Sequence, residues 1–358
     1  MKRSRFYTFF PPPEFLQMSA VGLDISDASL RFVELLETRK GLVIGRFGYR
    51  AIPRGIIESG EIKKAADFRA ILIDIKKQHN LEFVAVSLPE EKAYLIDINI
   101  PAMKYSEVRG AIELGLEEYI PLKNSDAIFD YEIVEETGSS FRVSVVAMPR
   151  VLVDGYLEAF SGTGITPVAF EVEAQSIARS VIPVSNDRAY MIVDFGKTRT
   201  GISIVLGQSV KFTSTILVGG DSVTASIAKN LNISHEEAER VKRGELAVVE
   251  ADTEKLSLAL VSAISILRDE IEKHRSYWQT RVDDRGEKNP LVEKIYLCGG
   301  DSNLKGFVDS ISLGLDIPVE LANVLVNVNS LDQYVPEISF GDSLGYATAL
   351  GLALRRPE

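Results

Sequence analysis

The sequence Val21-Gly-Leu-Asp-Ile-Ser-Asp-Ala-Ser-Leu-Arg-Phe-Val-Glu-Leu35 decides the fold of this chain. It has the pattern of a strand that reaches Asp24, a turn of small residues, and a second strand that returns beside the first. The same pattern occurs where Tyr190-Met-Ile-Val-Asp194 is followed by a turn and by Gly201-Ile-Ser-Ile-Val-Leu206. A single motif of this kind occurs in many β-hairpins and predicts little by itself. Two copies that head halves of similar size predict a duplicated α/β fold whose hairpins face each other across a cleft.

The composition is that of an ordinary globular protein of about two domains. The chain has 358 residues, of which 46% are hydrophobic and 25% charged, and this excludes the fibrous and disordered classes. Its net charge of −11 predicts that it binds no nucleic acid, because phosphate backbones are repelled. Cys298 is the only cysteine, so no internal disulfide can form. The three histidines lie too far apart in sequence to suggest a zinc site.

No stretch of the sequence is typical of a membrane span or a signal peptide. The longest apolar run, Leu344–Leu354, is interrupted by polar residues and glycines and is shorter than the roughly 20 residues that a span needs. Residues 1–17 are basic and rich in proline, which predicts a disordered tail; a weak contact with a membrane surface is the alternative. These features, together with the lone cysteine, are compatible with a cytoplasmic protein.

Apolar runs alternate with amphipathic stretches along the rest of the chain, as in α/β proteins. The spacing predicts helices over 64–79, 106–120, 151–160, 222–231, 234–243 and 254–279, and strands over 83–88, 93–98, 128–134, 141–148 and 294–298. Residues 90–160 have a β/α pattern of their own, which predicts a subdomain inserted in the first half. Ser234 and Glu237 have the spacing of a capping box at the start of their helix. A polar loop is predicted at Val282–Pro290.

The two hairpins are candidates for binding an anion. Small residues let the amides of each turn approach a phosphate closely, and Asp24 and Asp194 can hold a hydrated magnesium ion on phosphates. Gly196-Lys-Thr198 looks like the end of a P-loop, but that loop needs a glycine five positions earlier, where Met191 stands. The hairpin interpretation is therefore retained and the P-loop is rejected.

A further glycine turn lies in Tyr296-Leu-Cys-Gly-Gly-Asp-Ser-Asn-Leu-Lys-Gly306. This segment predicts a strand, a turn at Gly299 and Gly300, and a helix that Ser302 can cap. Bare glycines allow a flat ring to lie on the backbone. A simple tight connection between strand and helix is the alternative.

In combination, these motifs resemble the superfamily of actin, Hsp70 and FtsA. The resemblance rests on the two hairpins, the Gly-Gly-x-Ser-x-Leu turn and Ala238-Glu-Arg-Val-Lys242. Within the superfamily, Gly22-Leu-Asp-Ile25, Glu113-Leu-Gly-Leu-Glu-Glu-Tyr-Ile-Pro121 and Ala347-Thr-Ala-Leu-Gly-Leu-Ala-Leu354 are similar to the PilM family of type IV pilus assembly proteins. The resemblance implies a two-lobed actin-like fold, which is a duplicated ribonuclease-H-like fold with an inserted FtsA-type 1C subdomain.

The same resemblance implies the following domain boundaries. The first lobe (1A) spans 18–188 and contains the 1C subdomain at about 87–167; the second lobe (2A) spans 189–336 and contains a 2B part at about 223–290. Residues 337–358 form a C-terminal helix that returns to the first lobe.

The resemblance also implies a site for ATP and magnesium. The residues expected at the nucleotide are Asp24, Ser26, Asp194, Gly196, Thr198, Thr200, Gly219, Gly220, Glu239, Lys242, Gly299, Gly300, Asp301 and Ser302. Magnesium is expected at Asp24 and Asp194 through water, and Glu173 is the candidate water-positioning acid, with Glu171 as the alternative. Ser26 and Asp301 replace glycines that are usual in the family. ATP hydrolysis is expected to be slow at most, and a scaffold whose nucleotide site is only structural is an alternative.

The expected function is that of an actin-like ATP-binding protein of the type IV pilus inner-membrane complex. The resemblance implies that the chain is cytoplasmic and peripheral at the inner membrane. There it would bind the cytoplasmic N-terminal peptide of a PilN-like membrane protein and link it to the pilus motor or platform proteins. Self-association is a further expectation. The alternatives are an FtsA-like division scaffold, a type II secretion scaffold, or a small-molecule kinase of the same superfamily, for which no catalytic base in a substrate loop is evident.

Overall fold

The computed structural model describes residues 20–249, 252–282, 288–330 and 334–355. The proposed N-terminal tail, 1–17, lies outside the described residues, as do 283–287 of the predicted polar loop and the last three residues of the predicted C-terminal segment.

Two five-stranded sheets form the two halves of the molecule, and both have the same strand order. The first sheet runs β10-β6-β1-β2-β3 and contains β1 (Val21–Ile25), β2 (Ser29–Thr38), β3 (Gly41–Ala51), β6 (Phe83–Leu88) and β10 (Thr166–Val172). The second runs β15-β14-β11-β12-β13 and contains β11 (Ala189–Phe195), β12 (Thr200–Leu206), β13 (Ser209–Ile216), β14 (Val292–Cys298) and β15 (Val319–Leu321). In each sheet three antiparallel strands are followed by two parallel ones. The predicted duplication is therefore confirmed.

The duplication extends to the register of the two hairpins. Asp24 pairs with Arg31 in the first hairpin, and Asp194 pairs with Gly201 in the second, in each case seven positions further along (31 − 24 = 201 − 194 = 7). The parallel neighbour also matches. The register of β1 on β6 brings Ser87 beside Asp24, as the register of β11 on β14 brings Cys298 beside Asp194. Each aspartate thus lies at the same place in its lobe.

The helices cover the sheets and the segments between them. They are α1 (Ala65–His79), α2 (Tyr105–Tyr119), α3 (Arg150–Phe160), α4 (Glu173–Val181), α5 (Gly220–Leu231), α6 (His235–Lys242), α7 (Thr253–Thr280), α8 (Phe307–Ser312), α9 (Phe340–Ser343) and α10 (Ala347–Ala353). The capping box of Ser234 and Glu237 at the start of α6 is confirmed. Within the described ranges, every helix is too short or too polar to cross a lipid bilayer.

Helix α10 is buried against β1 and α4 of the first lobe. Two glycines permit this close approach. A Cβ on Gly22 would overlap the backbone of Ala349, and a Cβ on Gly351 would overlap the backbone of Ser176. Because backbone atoms cannot move aside cheaply, these two positions require glycine. The contact fixes β1, and with it Asp24, on a rigid support.

A three-stranded sheet with its own core stands within the first half. Its strands are β7 (Tyr94–Pro101), β8 (Ala127–Glu136) and β9 (Ser140–Pro149), in the order β7-β9-β8. The short strands β4 (Ile57–Glu58) and β5 (Glu61–Ile62) pair with each other and form a separate two-stranded sheet. Helix α2 packs on this sheet through Val108, Ile112 and Leu116. Helix α3, by contrast, packs with α1 in the core of the first lobe. The boundary of about 87–167 stays a prediction, and this packing favours a narrower subdomain.

The structure corrects one expectation from the sequence and adds strands that the sequence pattern did not indicate. No helix begins at Ser302: α8 begins at Phe307 with Gly306 at its N-cap, so Ser302 caps nothing. Strands β3 and β13 were not predicted, although each completes the antiparallel half of its sheet. Gly45 and Gly48 hide the strand pattern of β3, because they make room for the side chains of Leu36 and Phe32 on the neighbouring strand.

Candidate functional site

A cleft of about 810 Å³ opens where the two hairpins approach each other, within the size range of small-molecule sites. Eleven sequence-predicted residues line it: Asp24, Ser26, Glu173, Asp194, Gly196, Thr198, Glu239, Lys242, Gly299, Gly300 and Asp301. The structure therefore brings together residues from both halves of the chain at one concave site.

Thr200, Gly219, Gly220 and Ser302 are not among the lining residues. The buried Thr200 hydroxyl donates to the carbonyl of Val218 at 2.6 Å, and the Ser302 hydroxyl donates to the carbonyl of Cys298. A Cβ on Gly219 would lie 2.7 Å from the amide nitrogen of Arg199. These residues hold the turns in shape from behind the cleft.

Two buried aspartates form one end of the cleft. Ser87 donates a hydrogen bond of 3.0 Å to Asp24 Oδ1, and in the second lobe Cys298 Sγ lies 4.0 Å from Asp194 Oδ1. Burial raises the pKa of Asp24, although the charge of Arg31 partly offsets this. Burial and the charge of Asp24 raise the pKa of Asp194 to about 6. A cation bound beside them would favour the ionised form of both acids.

The donor set at this end fits a hydrated divalent ion. Magnesium prefers carboxylate oxygens and keeps several of its waters. Among the described residues, no cluster of three or more His, Cys, Asp or Glu side chains is arranged to ligate a metal directly. An ion beside Asp24 and Asp194 would thus be held mainly through its water shell.

The two candidate water-positioning acids have different surroundings. Glu171 forms a two-pronged ion pair with Arg179 and is not part of the cleft wall. Glu173, the first residue of α4, lines the cleft, and burial raises its pKa to about 8. The geometry favours Glu173.

Arg199, in the turn of the second hairpin, crosses the cleft and contacts three acids of the first lobe. Its guanidinium lies 3.3 Å from Asp27, 3.1 Å from Glu91 and 3.7 Å from Glu173, and only 13% of its side chain is exposed. Burial lowers its pKa, but these carboxylates outweigh that effect and raise it. Arg199 is therefore charged at any physiological pH and links the lobes.

Arg31 reaches across the cleft from the first lobe. It donates to Ser29 Oγ at 2.8 Å and lies over the rings of Tyr49 and Tyr346, and one of its nitrogens lies against Gly300 of the second lobe. Sequence reasoning missed both arginines. The available signal was their place in or beside the turns of the two hairpins, which puts a cation within reach of any phosphate there.

A buried ion-pair network of the second lobe also lines the cleft. The Lys242 ammonium lies 3.0 Å from Glu239, 2.8 Å from Asp301 and 3.3 Å from the carbonyl of Gly220, so three acceptors occupy its three protons. Burial raises the pKa of Glu239, but hydrogen bonds from Thr224 and Lys242 outweigh this and lower it to about 2. Asp301 thus anchors Lys242 and is fixed at the cleft wall.

The fold and the cleft together define a two-lobed, actin-like protein. The family described as "Type IV pilus assembly protein PilM" matches residues 22–357, and the chain belongs to that family.

Solved structures support the fold. The structure of a PilM–PilN type IV pilus biogenesis complex is similar over 94% of this chain and 98% of that one, with 23% identity and a TM-score of 0.78. The ethanolamine utilization protein EutJ from Carboxydothermus hydrogenoformans is similar over 95% of this chain and 93% of its own, with 14% identity and a TM-score of 0.56.

Replacing Arg199 by alanine is expected to lower the free energy of unfolding by about 3 kcal/mol, because Asp27 and Glu91, both largely buried, lose their shared cation. Urea denaturation followed by circular dichroism measures this loss. The matched control is Arg50→Ala, which breaks the exposed ion pair between Arg50 and Asp74 (2.6 Å) and is expected to cost at most about 1 kcal/mol. Equal losses in the two variants would contradict the assigned role of Arg199.

Proposed function

We propose that the cleft binds ATP with magnesium and that the chain works as an actin-like ATP-binding component of type IV pilus assembly. The observation that carries this proposal is the pair of buried aspartates, Asp24 and Asp194, at matched positions of two repeated sheets on either side of one cleft. Two facing acids with raised pKa values suit a hydrated cation that is itself bound to phosphates.

The phosphates would lie between the two hairpin turns. Gly196 and Thr198 offer backbone at the second turn, while Arg31 and Lys197 supply positive charge. Ser26 is compatible with this arrangement despite its side chain. Its hydroxyl oxygen accepts from the amide of Ser29 at 3.2 Å, so the side chain is tied into its own turn. Bound magnesium would supply charge neutralisation on the phosphates.

The adenosine would lie against the Gly299-Gly300 turn and the network of Glu239, Lys242 and Asp301. Gly299 has a φ of +98°, which favours glycine, and the adjoining Gly300 leaves the backbone bare for a flat ring. Glu239 and Asp301 offer carboxylate oxygens to ribose hydroxyls. Because the three protons of Lys242 are occupied, this residue would act by positioning those two carboxylates.

The protonation of the Glu173 carboxyl group supports the proposal that ATP is hydrolysed slowly. A carboxyl group with a pKa of about 8 is largely protonated at neutral pH and is then a poor acceptor for the proton of an attacking water. ATP would therefore act mainly by favouring one arrangement of the lobes.

Replacing Asp194 by alanine is expected to weaken the binding of ATP in the presence of magnesium by at least about tenfold, because the hydrated ion loses one of its two anchors. Isothermal titration measures the change, with circular dichroism as the check on folding. Asp269→Ala, on the exposed face of α7, removes the same charge far from the cleft and is expected to bind ATP as the wild type does. An unchanged affinity of Asp194→Ala would contradict the site.

For the partner, we infer a short N-terminal peptide of a PilN-like membrane protein, bound beside the inserted subdomain. Support comes from family membership and from the similar fold of a chain solved in a PilM–PilN complex. Such a peptide would recruit the chain from the cytoplasm to the inner membrane. There the chain would be linked to motor or platform proteins. We further propose that the chain self-associates. Family membership favours pilus assembly over the division, type II secretion and kinase alternatives.

The strand register allows most of the three-stranded sheet to be replaced by a short turn. Tyr94 and Ala147 are direct partners across β7 and β9, so residues 95–146 can be replaced by a two-residue Asn-Gly turn. This variant is expected to keep its affinity for ATP and to lose at least about tenfold in affinity for the peptide, which should bind in the micromolar range. Fluorescence anisotropy of a labelled peptide measures the loss, with a scrambled peptide as control. Undiminished binding would put the partner surface elsewhere.

A further inference from the structure

Glu90 is a buried acid in the cleft wall that none of the preceding roles uses. It begins the short 3-10 turn Glu90–Lys92, just beyond the end of β6. Its exposure is 7%, and its Oε1 atom has no hydrogen-bond partner. A buried polar atom without a partner is costly and rare in folded proteins. The missing partner is therefore to be sought in what the cleft holds.

The duplicated fold provides an internal comparison for this residue. Ser87 beside Asp24 corresponds to Cys298 beside Asp194, and three positions further along each chain segment Glu90 corresponds to Asp301. In the second lobe this acid is paired, with Lys242 at 2.8 Å. In the first lobe the matching acid, Glu90, lines the same cleft, and its buried Oε1 atom has no hydrogen-bond partner. The two matched acids thus differ, because Asp301 is paired with a lysine whereas Oε1 of Glu90 has no hydrogen-bond partner.

The surroundings of Glu90 favour its neutral form. Ionised carboxyl groups are very costly to bury without a partner. Burial, followed by the charges of Glu173 and Asp194, raises the pKa of Glu90 well above its usual value. A neutral carboxyl group has one O–H donor. It therefore needs an acceptor for this proton.

Glu90 also lies at the hairpin end of the cleft. A Cβ placed on Gly201 would be 3.7 Å from Glu90 Oε2 and 3.8 Å from Asp194 Cβ, and the backbone amide of Glu90 donates to the Glu173 carboxyl group. The network of Glu239, Lys242 and Asp301 belongs to the second lobe, whereas Glu90 belongs to the first lobe and lies beside Glu173, the candidate water-positioning acid. An acceptor that meets Glu90 is therefore on the side of Glu173, where the terminal phosphate is expected.

Resting on the proposed function, we propose that the Glu90 carboxyl group donates a hydrogen bond to the terminal phosphate of bound ATP. This contact makes the cleft prefer a nucleoside triphosphate to a diphosphate, because the shorter ligand leaves the donor without an acceptor. Glu90 is then a specificity-determining residue of the nucleotide site.

The test is the ratio of the ADP to the ATP dissociation constant, measured by titration with magnesium for the wild type, Glu90→Leu and Glu90→Gln. Leucine removes the donor, so ATP loses a hydrogen bond that ADP does not make. The ratio of the ADP to the ATP dissociation constant is therefore expected to fall about 10- to 100-fold, the usual effect of a hydrogen bond to a charged group. Glutamine keeps an N–H donor and is expected to stay within about threefold of the wild type. Glu113→Gln, on the exposed face of α2, is the matched control.

Each result decides a different claim. A ratio unchanged in Glu90→Leu overturns the inference, and a fall in Glu90→Gln as large as in Glu90→Leu overturns the role of a neutral donor. If circular dichroism shows that Glu90→Leu is misfolded, Glu90→Met takes its place. Failure of the wild type to bind ATP overturns the proposed function itself, whereas binding of ATP without a preference over ADP overturns only the role of Glu90.

Discussion

One buried cation, Arg199, joins the turn of the second hairpin to acids from three separate segments of the first lobe. These acids come from the first hairpin turn, from the start of the inserted subdomain and from the start of α4. The guanidinium is largely buried, as are Asp27 and Glu91, and a buried carboxylate left without its cation would destabilise the fold. One of these acids, Glu91, is next to Glu90 and precedes β7, the first strand of the three-stranded sheet.

The repeated sheets set the geometry, and the departures from the repeat create the site. The two aspartates, with Ser87 and Cys298 beside them, are matched between the lobes. The residues paired with the aspartates are not: the first hairpin has Arg31 where the second has Gly201. One lobe thus supplies an arginine at a place where the other leaves room. A symmetric cleft would offer the same groups from both lobes, whereas this one has an arginine on one side and a glycine at the matching place on the other.

The sequence predicts the part of this arrangement that is local. An apolar strand that ends on aspartate before a turn of small residues is visible in both halves, and so are the long helices and the capping box at Ser234. Strand β3 is obscured by Gly45 and Gly48, whose role is to accommodate the side chains of another strand. The contacts of Arg199 join residues far apart in the chain, so only the folded protein brings them together. Thr200 and Ser302 were predicted near the nucleotide from their motifs, but their hydroxyls donate to backbone carbonyls behind the cleft.

The central claim is that the cleft between the lobes is a nucleotide site with a defined direction. A crystal structure of the chain grown with magnesium and a non-hydrolysable ATP analogue tests it most directly. The account predicts the phosphates between the two hairpin turns, a hydrated ion beside Asp24 and Asp194, and the adenine on Gly300. A nucleotide bound in the reverse direction, or one bound outside the cleft while the cleft holds only solvent, would contradict it.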